Sequence, residues 1–192
     1  MATEHGSAKI EPELRQHAQR WDHLGEHLKR FRQITGEFPK LVDDPDGYES
    51  PRPNVIYHLG GPVYSQVYGN FGETTKYYTI EPELDESEHG IFDDVKDKLL
   101  ERSVSEPAPT EDTEYEDRIQ ELLEEITVLE GQREGRLAEL VQRLELGPLE
   151  VSEETYRKIQ YRLVRDIVGL GPLEPIMRDP ANEDIHVIGP NQ

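Results

Sequence analysis

One stretch limits the fold more than any other: Asn54 to Glu81, NVIYHLGGPVYSQVYGNFGETTKYYTIE, dense in Val, Ile, Tyr and Thr. β-Branched and aromatic side chains suit a pleated surface. Gly60-Gly61-Pro62 and Gly69-Asn70-Phe71-Gly72 punctuate the run at the spacing of successive short strands. The reading is a three-stranded antiparallel meander, which needs helices to cover it. The flanks offer them. Leu14, Ala18, Trp21, Leu24, Leu28 and Phe31 recur every three or four positions between Lys9 and Thr35, and Gly36 sits where a helix would end. Ile91, Phe92, Val95 and Leu99 share one face of a second helix over Ser87 to Arg102. Residues 1–102 therefore read as a small α+β domain.

The next segment has little to bury. Ser103 to Thr113, SVSEPAPTEDT, carries prolines and acids and reads as a flexible linker over 103–113. Tyr115, Ile119, Leu122, Ile126 and Leu129 then step by helical spacing, and the pattern resumes after Gly131 and Gly135 with Leu137, Leu140, Val141 and Leu144. Each glycine costs about 1 kcal/mol inside a helix, which favours a helical hairpin over 114–147 above one long helix. From residue 148 a second domain begins. Ser152 is a good N-cap with Glu153 and Glu154 placed to complement the helix dipole. Tyr156, Ile159, Leu163, Ile167 and Leu170 form an expected buried stripe, and Gly169, Gly171 and Pro172 close the helix. Leu173 to Met177 is a short helical turn and Asp184 to Ile188 a strand. Residues 148–192 thus read as the beginning of an α/β domain cut off after its first strand.

Charge excludes some partners. Of 192 residues 41 are acidic and 21 basic, a formal net charge of -20, which opposes nucleic acid because phosphate binding needs a positive field. The excess fits carboxylates that keep a surface hydrated in concentrated salt. It is uneven: Glu81 to Glu130 holds nineteen acids against four bases, whereas Lys9 to Lys40 holds seven bases against five acids. Arg15, Arg20, Lys29, Arg30 and Arg32 on the first helix suit either a partner contact or the acidic remainder of the chain itself. The chain has no cysteine, so thiolate chemistry is absent. With no apolar run near the roughly 20 residues of a membrane span, the expected location is the cytoplasm.

No catalytic constellation emerges. Gly169-Leu170-Gly171 suggests part of a phosphate loop, yet such loops open a helix and this one closes one. His23 and His27 lie one turn apart, but without a third ligand they read as a solvated helix face rather than a metal site. Tyr57, Tyr64, Tyr68, Tyr77 and Tyr78 could stack bases, but in an acidic field without interleaved Arg they read as structural. No Gly-x-Ser-x-Gly, no Gly-Lys-Ser or Gly-Lys-Thr loop and no Asp-rich calcium loop is present. The expected catalytic and metal residues in this chain are none.

The run YRKIQYRLVRDIVGLGPLEPIMRDP, Tyr156 to Pro180, followed by Asn182-Glu183-Asp184-Ile185, closely resembles the N-terminal domain of the type II/IV secretion system ATPases. Upstream, Lys76-Tyr77-Tyr78-Thr79-Ile80-Glu81-Pro82-Glu83-Leu84 looks like the extra N-terminal domain of archaeal members. Within the family the wording is most similar to archaellum motor ATPases, with type IV pilus assembly ATPases next. The resemblance implies a cytoplasmic hexamer at the inner face of the membrane. There Mg-ATP, bound between an N-terminal domain and a C-terminal ATPase domain, would drive a membrane platform protein. The family's nucleotide-binding motifs find no counterpart here, so ATP and Mg are expected in the full-length family and no cofactor in this chain. Arg162, Arg165 and Arg178 lie where related ATPases send arginines to phosphates; ion pairing with Asp166 or Asp179 is the alternative role. The rival reading is a stand-alone acidic adaptor derived from such an ATPase.

Overall fold

The periodic N-terminal segment folds as two helices rather than one: α1, Pro12–Arg20, and α2, Asp22–Thr35. Trp21 breaks them with an extended backbone (φ -128°, ψ 104°). The break lets the short helix fold back on the longer one, so that Leu14 of α1 and Leu24 and Leu28 of α2 reach one core. The approach is close: a Cβ on Gly25 would lie 3.1 Å from the Ala18 carbonyl oxygen. Gly36 ends α2 in the left-handed region (φ 81°), its N–H donating to the Arg32 carbonyl at 2.8 Å.

A computed structural model describes residues 8–45, 50–69, 72, 74–103, 112–131 and 147–185. The architecture is mixed α+β. The expected meander forms from β2, Asn54–Gly60, β3, Val63–Tyr68, and β4, Lys76–Ile80. The short β1, Lys40–Leu41, adds a parallel fourth strand beside β2, giving the order β1-β2-β3-β4. Gly60 and Gly61 turn β2 into β3 at φ 105° and 55°, which side chains bearing a Cβ rarely adopt. Register then sorts the side chains by face. Asn54, Ile56 and His58 pair with Tyr68, Gln66 and Tyr64, and on the next strand with Lys76, Tyr78 and Ile80. This face receives α1 and α2, whose leucines bury against Ile56, Tyr64, Ile80 and Phe38. The opposite face carries Val55, Tyr57, Ser65, Val67, Tyr77 and Thr79.

The chain divides into two units, Met1–Pro82 with Leu173–Gln192, and Glu83–Pro172. This differs from the expected boundaries. The helix assigned above to the N-terminal domain, α3 at Glu86–Ser103, buries Phe92, Val95 and Leu99 in the core of the second unit. They pack with Ile119, Leu122, Leu123 and Ile126 of α4, Asp112–Ile126, and with Ile159 and Leu163 of α5, Glu153–Ile167. Helix α4 stops three residues short of the expected Leu129, because Thr127–Leu129 is strand β5, paired in parallel with β6, Leu149–Val151. The second limb of the expected hairpin and most of the expected linker lie outside the described residues.

The stripe on α5 is only partly buried. Ile159 and Leu163 are in the core, while Ile167 and Leu170 are 54% and 57% exposed. Val164 and Val168, neighbours on the adjoining line of the helix, pack on the core instead. After a single 3-10 turn at Gly171–Leu173 comes α6, Glu174–Met177. Asp184 and Ile185 are not in a strand, and the rest of the expected strand lies outside the described residues.

Candidate functional site

Of the three arginines singled out in the sequence, two meet on one carboxylate. Helix α5 places Arg162 and Asp166 one turn apart, with Arg162 Nε 2.9 Å from Asp166 Oδ2. Arg165, almost wholly buried, reaches Asp166 Oδ1 through Nε at 2.9 Å and Nη2 at 2.8 Å. Arg178 belongs to the other unit and pairs with Glu174 at 3.0 Å, not with Asp179. Thus Asp166 consumes much of the positive charge that a phosphate would need. The Gly171 turn, at φ 60°, follows the end of α5 and leads into a helix of only four residues. Among the described residues, no group of three or more His, Asp or Glu side chains could hold a metal ion. Each of the three arginines is thus engaged with a carboxylate of its own helix.

The histidines are not a solvated face. His23 Nε2 lies 2.8 Å from the Pro62 carbonyl oxygen, and His27 Nε2 lies 2.6 Å from Gln66 Oε1. Gln66 is fully buried on β3, and its amide donates onward to Asn54 Oδ1 at 3.1 Å. That direction makes His27 the donor through Nε2–H. Burial, opposed by the Gln66 hydrogen bond and assisted by Arg30, lowers the His27 pKa below its usual value. His17 Nδ1 meets the buried Tyr64 hydroxyl at 2.7 Å. Both helices are thereby registered on the sheet by polar contacts as well as leucines.

A buried carboxylate anchors another cluster in the second unit. Asp85 and Glu88 form a capping box at the start of α3: Asp85 Oδ1 accepts the Ser87 and Glu88 N–H groups at 2.8 and 2.9 Å, and Glu88 Oε2 accepts the Asp85 N–H at 2.9 Å. The Ser87 hydroxyl and these amides hold the Asp85 carboxyl below its usual pKa. Glu88 is 6% exposed and also meets Lys158 Nζ at 3.1 Å and the Thr155 hydroxyl at 3.0 Å. Burial opposes the Lys158 charge, yet hydrogen bonds to Glu154 and Glu88 keep its pKa above the usual value. This cluster fastens α5 to the N-terminus of α3.

The most unusual chemistry is a carboxylate that sequence reasoning assigned only as a partner for arginine. Asp179 is 3% exposed, and Oδ2 accepts the Tyr57 hydroxyl at 2.6 Å and the Tyr77 hydroxyl at 2.5 Å. Its Oδ1 accepts the Ala181 N–H at 2.9 Å, and Ser65 Oγ lies 2.7 Å from Tyr77 Oη. Burial and then the hydrogen bond to Asp179 push the Tyr77 hydroxyl up to about 12, and raise the Tyr57 hydroxyl further still. The hydroxyls are therefore firm donors at neutral pH. The sequence signal was strand parity: the pairing Tyr57 with Ser65 and Val67 with Tyr77 puts all three oxygen-bearing side chains on one face.

No protein-family model matches the chain. Over 184 residues it is 33% identical to the uncharacterized protein MJ0900 of Methanocaldococcus jannaschii, an alignment that covers 94% of this chain and 33% of that protein. The chain spans about a third of the length of the curated relative it matches. Among the described residues, no helix is long and apolar enough to cross a membrane.

Proposed function

We propose that the chain is the non-catalytic N-terminal part of a hexameric motor ATPase of the type II/IV secretion family. In this reading it serves archaellum or type IV pilus assembly, docks on a membrane platform protein from the cytoplasm, and leaves Mg-ATP hydrolysis to a separate C-terminal domain. The observation that carries the reading is the run from Tyr156 to Ile185, with its Arg-Asp helix end, Gly-x-Gly turn and Asp-Pro corner. Alignment of nearly the whole chain with a third of a longer archaeal protein supports it, since a module of a larger machine would align in this way. So does the pairing of Arg162 and Arg165 with Asp166, which suits a structural rather than a phosphate-binding role in the isolated chain.

ATP chemistry tests the reading directly. Phosphoryl transfer needs backbone amides and a lysine around the phosphates and carboxylates on Mg. A net charge of -20 also repels an anionic nucleotide. Titration of residues 1–192 with Mg-ATP therefore gives no heat at submillimolar ligand, while the full-length Methanocaldococcus relative binds and hydrolyses Mg-ATP. A relative that neither binds nor hydrolyses it overturns the family reading. Hydrolysis by the chain alone overturns its non-catalytic assignment.

A further inference from the structure

The segment Leu173 to Ile185 is fastened to the first unit in an unusual way. It contributes no strand to the four-stranded sheet. Its own backbone bonds close locally, from Arg178 N–H to Glu174 O at 3.0 Å, Asp179 N–H to Ile176 O at 3.3 Å and Asn182 N–H to Asp179 O at 3.2 Å. Apolar anchoring is partial: Leu173, Met177 and Ile185 are 39%, 52% and 36% exposed, while Pro175 is buried and Ile176 half-buried. Asp179 is the other buried point, and its carboxylate is met there by hydroxyls from β2 and β4 and by its own Ala181 amide. A buried carboxylate satisfied by neutral donors depends on every one of them, because each lost hydrogen bond leaves charge exposed to an apolar surround. The two tyrosine hydroxyls are thus the groups on which the seating of this segment turns. Asn182, which also hydrogen-bonds the Tyr77 side chain, adds to the same corner.

We propose that residues 173–185 are a releasable strap, pinned through Asp179 to Tyr57 and Tyr77, whose opening uncovers the sheet face opposite α1 and α2. The strap opens as a unit while the sheet stays folded, since side-chain bonds tie it down and the β2–β3–β4 ladder does not run through it. Release exposes Tyr57, Ser65 and Tyr77 together, converting a closed polar corner into a row of hydroxyl groups. The device is conformational and is separate from the ATPase reading.

Hydrogen exchange of the full chain distinguishes a pin from an ordinary piece of core. The paired substitution Tyr57→Phe with Tyr77→Phe removes two oxygen atoms and keeps both rings, and Asp179→Ala removes the carboxylate. In both variants the amides of Arg178, Asp179 and Asn182 exchange about tenfold faster or more, the effect of losing charge-assisted hydrogen bonds. The ladder amides of β2 and β3 keep their protection to within about twofold. Strap amides that exchange as in the unmodified chain overturn the proposal. Equal acceleration through the β2–β3 ladder, or loss of folding in the double phenylalanine variant by circular dichroism, also overturns it, because the corner would then be part of the cooperative core.

Discussion

At the scale of single residues, the polar contacts under α1 and α2 make the first unit sensitive to acid. His27 is half-covered, stacked near Phe31 and Tyr78, and donates to a glutamine that has no solvent to fall back on. Its folded pKa lies below the unfolded value of about 6.5. Between those two values the unfolded chain binds more protons than the folded one, so unfolding free energy rises with pH. The contribution is fully present above about pH 6.5 and is lost as pH falls through the folded pKa. Urea melts should show stability declining from pH 7.5 to 5.5, and His27→Gln should make that slope shallower while costing some stability at pH 7.5. An unchanged slope in the variant would place the acid sensitivity elsewhere.

Among the secondary-structure elements, the Ser152 cap and the glycine turns are where sequence and fold agree best. Ser152 Oγ accepts the Thr155 N–H at 3.0 Å, and Thr155 in turn donates to buried Glu88, so this cap is joined to the Glu88–Lys158 ion pair. Ser152→Ala should cost about 1 kcal/mol, read as a lower urea midpoint with an unchanged denaturant slope. Ser152, Gly36 and the glycine turns of the meander were legible because a cap or a positive φ is a local demand that one residue type answers. The mixed α+β class followed from the switch between helical and strand periodicity. What was not legible depended on contacts distant in sequence. The break at Trp21 has neither glycine nor proline to announce it; it exists because both helices must reach one sheet. The stripe on α5 drifted because its partners come from α3 and α4, which choose Val164 and Val168 over Ile167 and Leu170. Asp179 was visible only as half of an arginine pair, since nothing local says that Tyr57 and Tyr77 will converge on it.

For the molecule as a whole, the dominant unmet term is repulsion among carboxylates. Between Glu81 and Glu130 there are nineteen acids and four bases. Lys96, Arg102 and Arg118 pair with Asp93, Glu125 and Glu121, at or near the surface, where each pair contributes roughly 0–1 kcal/mol. The stretch thus carries far more acids than bases. On α4, Asp117, Glu121 and Glu125 follow at four-residue spacing, and Glu124 and Glu125 sit at the negative end of the helix dipole with no base in the last turn. Such repulsion is long-ranged at low salt, where the screening length is about 10 Å at 0.1 M, and nearly vanishes at 1 M, where it is about 3 Å. The melting temperature should therefore rise between about 0.1 and 1 M KCl, the range over which that length collapses. Replacing exposed Glu116 and Asp117 by Gln and Asn should raise the low-salt melting temperature and shrink the gain from salt, because part of the repulsion is gone before any ion is added. A melting temperature that stays flat across the salt series, or a gain of equal size in the neutralised variant, would mean that the acidic stretch carries no net electrostatic strain in the fold.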